Sequence, residues 1–289
     1  MKTTKIILIL MIIFAGVLIY NTNLPQIQPQ QKTSGGFVLP VRWGDLGKKM
    51  VSAGVIDAKR FEEIYANRGG LNKETKELLY GENNGNLKVT SENSGIILNL
   101  LWALGLGAKN NILESGPMAQ YGDVGNFAST GGWTIAKGNA MDHYSRHPFM
   151  VLSKEQQALV ENVSKNIYRP CCDNPTHFPD CNHGMAMLGL LELLASQGAN
   201  EKQMYQTALQ MNSLWFPEEY STIARYLALK NQTLSSVEPK EILGRDYSSA
   251  SGFRKIASLV PQVKSSGGSG CGVDSGQPAA PQQQTGCGI

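Results

Sequence analysis

Two stretches of this chain are apolar on nearly every side. They are Ser94–Leu106 (SGIILNLLWALGL) and residues 184–197 (GMAMLGLLELLASQ), each followed by a glycine. A helix apolar all round has no face to give to water, so a chain with two must wrap its other elements around both. The remaining pattern supplies those elements. Asp45 and Asp57 stand where they can cap helices, the second carrying Phe61, Ile64 and Tyr65 at helical spacing. A short helix is expected over 71–80. Ser153 with Gln156 forms a capping-box pattern that opens a helix towards Tyr168. Further helices are expected from Asn200, from Pro217 and over 248–259.

Strand alternation is weak, so the expected fold is all-α: an irregular domain of about eight or nine helices with long Gly-rich and Cys/His-rich loops. One loop is unusually long. Between Gly116 and Gly138 glycines recur with Pro117, Phe127 and Trp133 among them. Loops of that length usually bind something or are disordered, and the aromatics oppose disorder. A wrapped surface loop or a binding loop is therefore expected, and with it the seam between subdomains 37–115 and 131–263.

Both ends differ from the body. Lys2 and Lys5 precede an unbroken apolar run, Ile6–Tyr20. As a helix the run would span about 22 Å, which suits a signal-peptide core better than a full bilayer crossing. Yet no A-x-A-like cleavage site and no lipoprotein cysteine follow. The expectation is an uncleaved signal anchor over 1–23, touching the lipid bilayer through residues 6–20. Its N-terminus would be inside and the body extracytoplasmic, or secreted if the segment is cleaved. Residues 24–36 read as a flexible linker, 37–263 as the folded domain, and 264–289 as a disordered Gly/Gln-rich tail holding Cys271 and Cys287.

Charge excludes little but points away from nucleic acid: 26 basic and 23 acidic residues leave +3, with no Lys/Arg run. No dinucleotide fingerprint, Walker A loop, G-x-S-x-G, H-E-x-x-H or EF-hand pattern occurs, so no nucleotide cofactor is expected. C-x-x-C-H is absent too, which removes covalent c-type haem.

Chemistry gathers elsewhere. The chain has four His and five Cys, and His143, His147, Cys171, Cys172, His177, Cys181 and His183 fall between residues 143 and 183. The densest part is RPCCDNPTHFPDCNHGMAM, 169–187, where Pro175 and Pro179 oppose a helix and favour a compact loop. Thiolate and imidazole are the donors preferred by zinc and copper, so all seven residues are candidate metal ligands. The C-C-x4-H-x3-C-x-H spacing matches no standard zinc finger. Met187 lies one helical turn beyond His183 and would suit Cu(I), although Met185 and Met187 are ordinary core residues in such a helix. Asp173 and Asp180 are either imidazole acceptors or turn formers. Glu192, the one charge within its apolar helix, needs a partner such as Arg225 or Arg169.

Three functions fit these residues. The first is a membrane-anchored extracytoplasmic protein that binds a transition metal, copper or zinc, through the Cys/His loop. The second is a thiol–disulfide or other Cys-dependent enzyme on the same loop. The third is a surface interaction domain stapled by a disulfide between Cys181 and Cys171 or Cys172.

Overall fold

The computed structural model describes residues 36–261, apart from Arg68. The anchor expected over 1–23 and the tail 264–289 lie outside the described residues, as does nearly all of the linker 24–36.

The chain enters with a strand. β1 (Phe37–Gly44) runs antiparallel to β2 (Asn84–Val89), and three helices lie between them: α1 (Leu46–Ala53), α2 (Ala58–Ala66) and α3 (Lys73–Tyr80). Leu39, Val41 and Trp43 alternate inward along β1, with Leu87 and Val89 beside them on β2. The all-α expectation is therefore corrected: the fold is helical with a small two-stranded sheet. Pro40 hid the strand, because proline cannot donate to a ladder. The register shifts between Val38 and Arg42, and Pro40 sits inside that irregularity. β2 offered only two apolar positions.

Nine longer helices and three short ones occur among the described residues. After β2 come α4 (Ser94–Gly107), the short α5 (Asn111–Ser115) and α6 (Lys154–Ser164). Then follow α7 (Asn182–Ser196), α8 (Glu201–Trp215), α9 (Pro217–Leu229), the short α10 (Pro239–Ile242) and α11 (Arg245–Ser248), and α12 (Ala250–Leu259). Asp57 caps α2 through the Lys59 and Arg60 amides, and Ser153 and Gln156 close a reciprocal capping box on α6. Asp45 makes no side-chain cap bond and pairs with Lys49 instead.

The two apolar helices pack on each other at the centre of the core. Gly105 of α4 and Gly189 of α7 meet backbone to backbone. A Cβ on Gly105 would stand 2.2 Å from the Met185 carbonyl oxygen, and one on Gly189 would stand 2.7 Å from the Gly105 nitrogen. Glycine is needed at both positions because any side chain would wedge the helices apart. Inside this core Asn99 is satisfied by Tyr65, its Nδ2 donating to the phenol oxygen over 2.6 Å.

The long glycine-rich segment is ordered by aromatic anchors. Trp133 packs edge-on to Trp102 at 4.8 Å. The indole of Trp102 donates to the Ser129 carbonyl and that of Trp133 to the Val55 carbonyl, both over 2.7 Å.

Among the described residues no helix is long and apolar enough to cross a membrane. The most apolar ones, α4 and α7, have 14 and 15 residues, which corresponds to about 22 Å against a hydrocarbon core of about 30 Å. Both are buried by the rest of the fold. The single-pass, extracytoplasmic expectation is corrected to this: no described helix is long and apolar enough to cross a membrane, and Ile6–Tyr20 lies outside the described residues.

Candidate metal centre

The cysteine-bearing loop joins α6 to α7 and is tied down along its length. Thr176 donates its amide to the Ile167 carbonyl over 2.8 Å, and the His177 amide donates to the Ser164 carbonyl over 3.1 Å. Asn174 Nδ2 reaches Asp180 Oδ2 over 2.8 Å across the loop. The C-terminal segment closes over the outside: Ala250 N–H donates to the Cys172 carbonyl over 3.0 Å, and Ser251 N–H to Asp173 Oδ1 over 2.7 Å. From the other side the glycine-rich segment leans on the loop. Ser129 N–H donates to the Asp180 carbonyl, while Tyr121 and Phe127 pack edge-on or tilted against each other and Phe178.

This bracing brings three thiols together. Cys181 Sγ lies 3.6 Å from Cys171 Sγ and 3.8 Å from Cys172 Sγ, and the three sulfurs lie within 4.8 Å of one another. No disulfide joins them. Cys171 is exposed; the other two are half-buried. Cys181 is also the N-cap of α7, its sulfur accepting from the Gly184 amide over 3.4 Å.

Arg169 holds the assembly from beneath. Its side chain is 1% exposed, and its guanidinium is a hub. Nε–H donates to Cys181 Sγ over 3.0 Å, Nη1–H to the Asn174 carbonyl over 3.0 Å, and Nη2–H to Asp180 Oδ1 over 2.9 Å. Gly184 makes room for it: a Cβ there would stand 2.4 Å from Nη2. Burial disfavours the guanidinium charge, but Cys181, Cys172, Cys171 and Asp180 outweigh that cost. In return Cys181 falls well below the usual thiol range, through the thiols of Cys171 and Cys172 and the adjacent Arg169 and His183. Cys171 moves the other way, chiefly because its own hydrogen bonds to Cys172 and Cys181 favour the neutral thiol. One sulfur thus carries the charge readily while its neighbours hold protons.

The four imidazoles are dispersed, and none belongs to the three-thiol group. His183, two residues past Cys181, sits among aromatics, 4.5 Å from the Phe216 ring and 5.8 Å from that of Trp215. Burial there pushes it down to about 4. His177 is turned to α6, with Nδ1 3.2 Å from Ser164 Oγ, and is lowered by burial and Lys165. His143 and His147 form their own pair. Nε2–H of His143 donates to the Lys137 carbonyl over 3.0 Å, leaving Nδ1 to accept from His147 Nε2–H over 3.1 Å. Burial and His143 lower His147, whose ring stacks on Phe149 beside a surface groove that includes Lys49 and Glu82.

From the sequence, Arg169 is expected only as a possible mate for Glu192, not as part of this site. The available signal is one arginine two positions before the Cys pair, in a segment with no other Lys or Arg. Glu192 has neither expected partner, since Arg169 binds Asp180 and Arg225 turns to Thr222. Its carboxyl is buried facing Asn110 and is pushed well above the usual carboxylate range by burial.

Comparison with known protein families, characterised proteins and solved structures gives no match. The cluster itself is therefore the basis for function: three thiols at metal-binding distance, with a guanidinium supporting one sulfur.

Proposed function

We propose that the protein binds one thiophilic transition-metal ion, zinc(II) or copper(I), through the thiolates of Cys171, Cys172 and Cys181. The sulfur spacing carries the reading. Two thiolates bound to one ion at about 2.3 Å with tetrahedral angles stand about 3.8 Å apart. The 3.6 and 3.8 Å separations approach that value without any movement of the backbone. Three protein sulfurs leave a fourth position, which His183 or an exchangeable ligand would take. His177, His143 and His147 are left out of the ligand set, since their ring nitrogens lie against Ser164, the Lys137 carbonyl and each other. Arg169 offsets part of the negative charge that a metal–thiolate centre accumulates. Such a centre suits metal capture and delivery.

The test uses the full chain with Cys271 and Cys287 replaced by serine, reduced and stripped of metal. Titration with zinc(II), copper(I) and cobalt(II) should give one ion per chain by native mass spectrometry, with thiolate-to-cobalt absorption. Cys181→Ser should abolish this, and His183→Ala reports whether imidazole completes the site. Failure of all three ions to bind the reduced protein overturns the proposal.

A further inference from the structure

We infer that the metal-free cluster also performs dithiol–disulfide exchange with low-molecular-weight disulfides, Cys171 attacking and Cys181 resolving. The geometry separates these roles. Cys171 is the exposed thiol, so an incoming disulfide meets it first. Cys181 stands 3.6 Å behind it, and both the Arg169 Nε–H and the Gly184 amide point at its sulfur. Donors of that type support charge on an attacking sulfur. The 3.6 Å between the two sulfurs shortens to about 2 Å when they bond.

The chemistry balances without an outside oxidant. Cys171 Sγ bonds to one sulfur of the substrate R–S–S–R, whose S–S bond breaks, and the departing RS⁻ takes the Cys171 proton as RSH. The Cys181 thiolate then attacks Cys171 Sγ, the mixed S–S bond breaks, and the second RS⁻ leaves and takes its proton from water. The substrate disulfide is reduced to two thiols, and the protein dithiol is oxidised to Cys171–Cys181. Cys172, 3.8 Å from Cys181, takes no part in either step. The activity does not depend on the metal reading, because it is assayed with the ion removed.

The experiment treats the reduced full chain, with Cys271→Ser and Cys287→Ser and chelator present, with glutathione disulfide. The expected result is release of two glutathiones per chain and one internal bridge, Cys171–Cys181, by peptide mass mapping. Cys181→Ser should stop at a mixed disulfide on Cys171, and Cys171→Ser should slow the reaction at least roughly tenfold. Cys172→Ser keeps Arg169 and both reacting thiols, and peptide mapping of it should still show the Cys171–Cys181 bridge. This variant keeps the test decisive if Cys181→Ser fails to fold. Loss of the reaction in Cys172→Ser, bridging of Cys171 to Cys172, or no glutathione release overturns the inference. None of these outcomes bears on metal titration of the reduced protein.

Discussion

Arg169 and Cys181 are joined by a 3.0 Å hydrogen bond from a guanidinium that is almost wholly enclosed. Removing the arginine leaves Asp180 without its cation and the Asn174 carbonyl without its donor. Arg169→Met should therefore destabilise the fold by about 3–5 kcal/mol in urea titration. Arg169→Lys should recover only part of this, since one ammonium cannot reproduce a fork that reaches sulfur, carbonyl and carboxylate together.

The α4–α7 crossing makes a sharper stability test. Gly105→Ala and Gly189→Ala each force a methyl into backbone held at 2.2–2.7 Å. Each should lower stability by about 3 kcal/mol or more, seen as a drop in Tm. The double variant should lose less than the sum of the two, because one separation of the helices relieves both clashes.

Glu192 sets an alkaline-side dependence. The unfolded chain releases this proton near 4.5, whereas the buried carboxyl holds it to well above that. Between those two pH values the unfolded state is ionised and the folded state is not. Stability is thus full below 4.5 and falls as pH rises towards the folded value. Glu192→Gln should flatten this slope and gain on the order of 1–3 kcal/mol at pH 7–8 in denaturant midpoints.

His183 works on the acid side. Its imidazole titrates at about 4 in the fold against 6.5 unfolded, because burial disfavours its charge. That contribution is complete above 6.5 and is lost as pH falls towards 4. His183→Gln should weaken the acid-side loss by on the order of 1–3 kcal/mol, read from unfolding at pH 4.5 against pH 7.5.

How far the sequence exposes this protein depends on how local each signal is. α4 and α7 are legible because uniform hydrophobicity over 14 and 15 residues needs no knowledge of neighbours. Cys171, Cys172 and Cys181 are legible because two prolines confine them to one short loop. β1 is not, since Pro40 argues against a strand unless the register irregularity around it is known. Arg169 is missed for a similar reason. An arginine reads as surface until Asp180, Cys181 and a glycine at 184 are found around it. The surroundings of His183 are supplied by Trp215 and Phe216, more than 30 positions away, which no spacing rule reports.

The clasp of Ala250 and Ser251 on Cys172 and Asp173 has a consequence for biosynthesis. On the ribosome all three cysteines emerge almost 70 residues before the segment that secures their loop. The C-terminal part adds the last two ties to that loop, so truncation before residue 250 should loosen the three thiols and speed their alkylation.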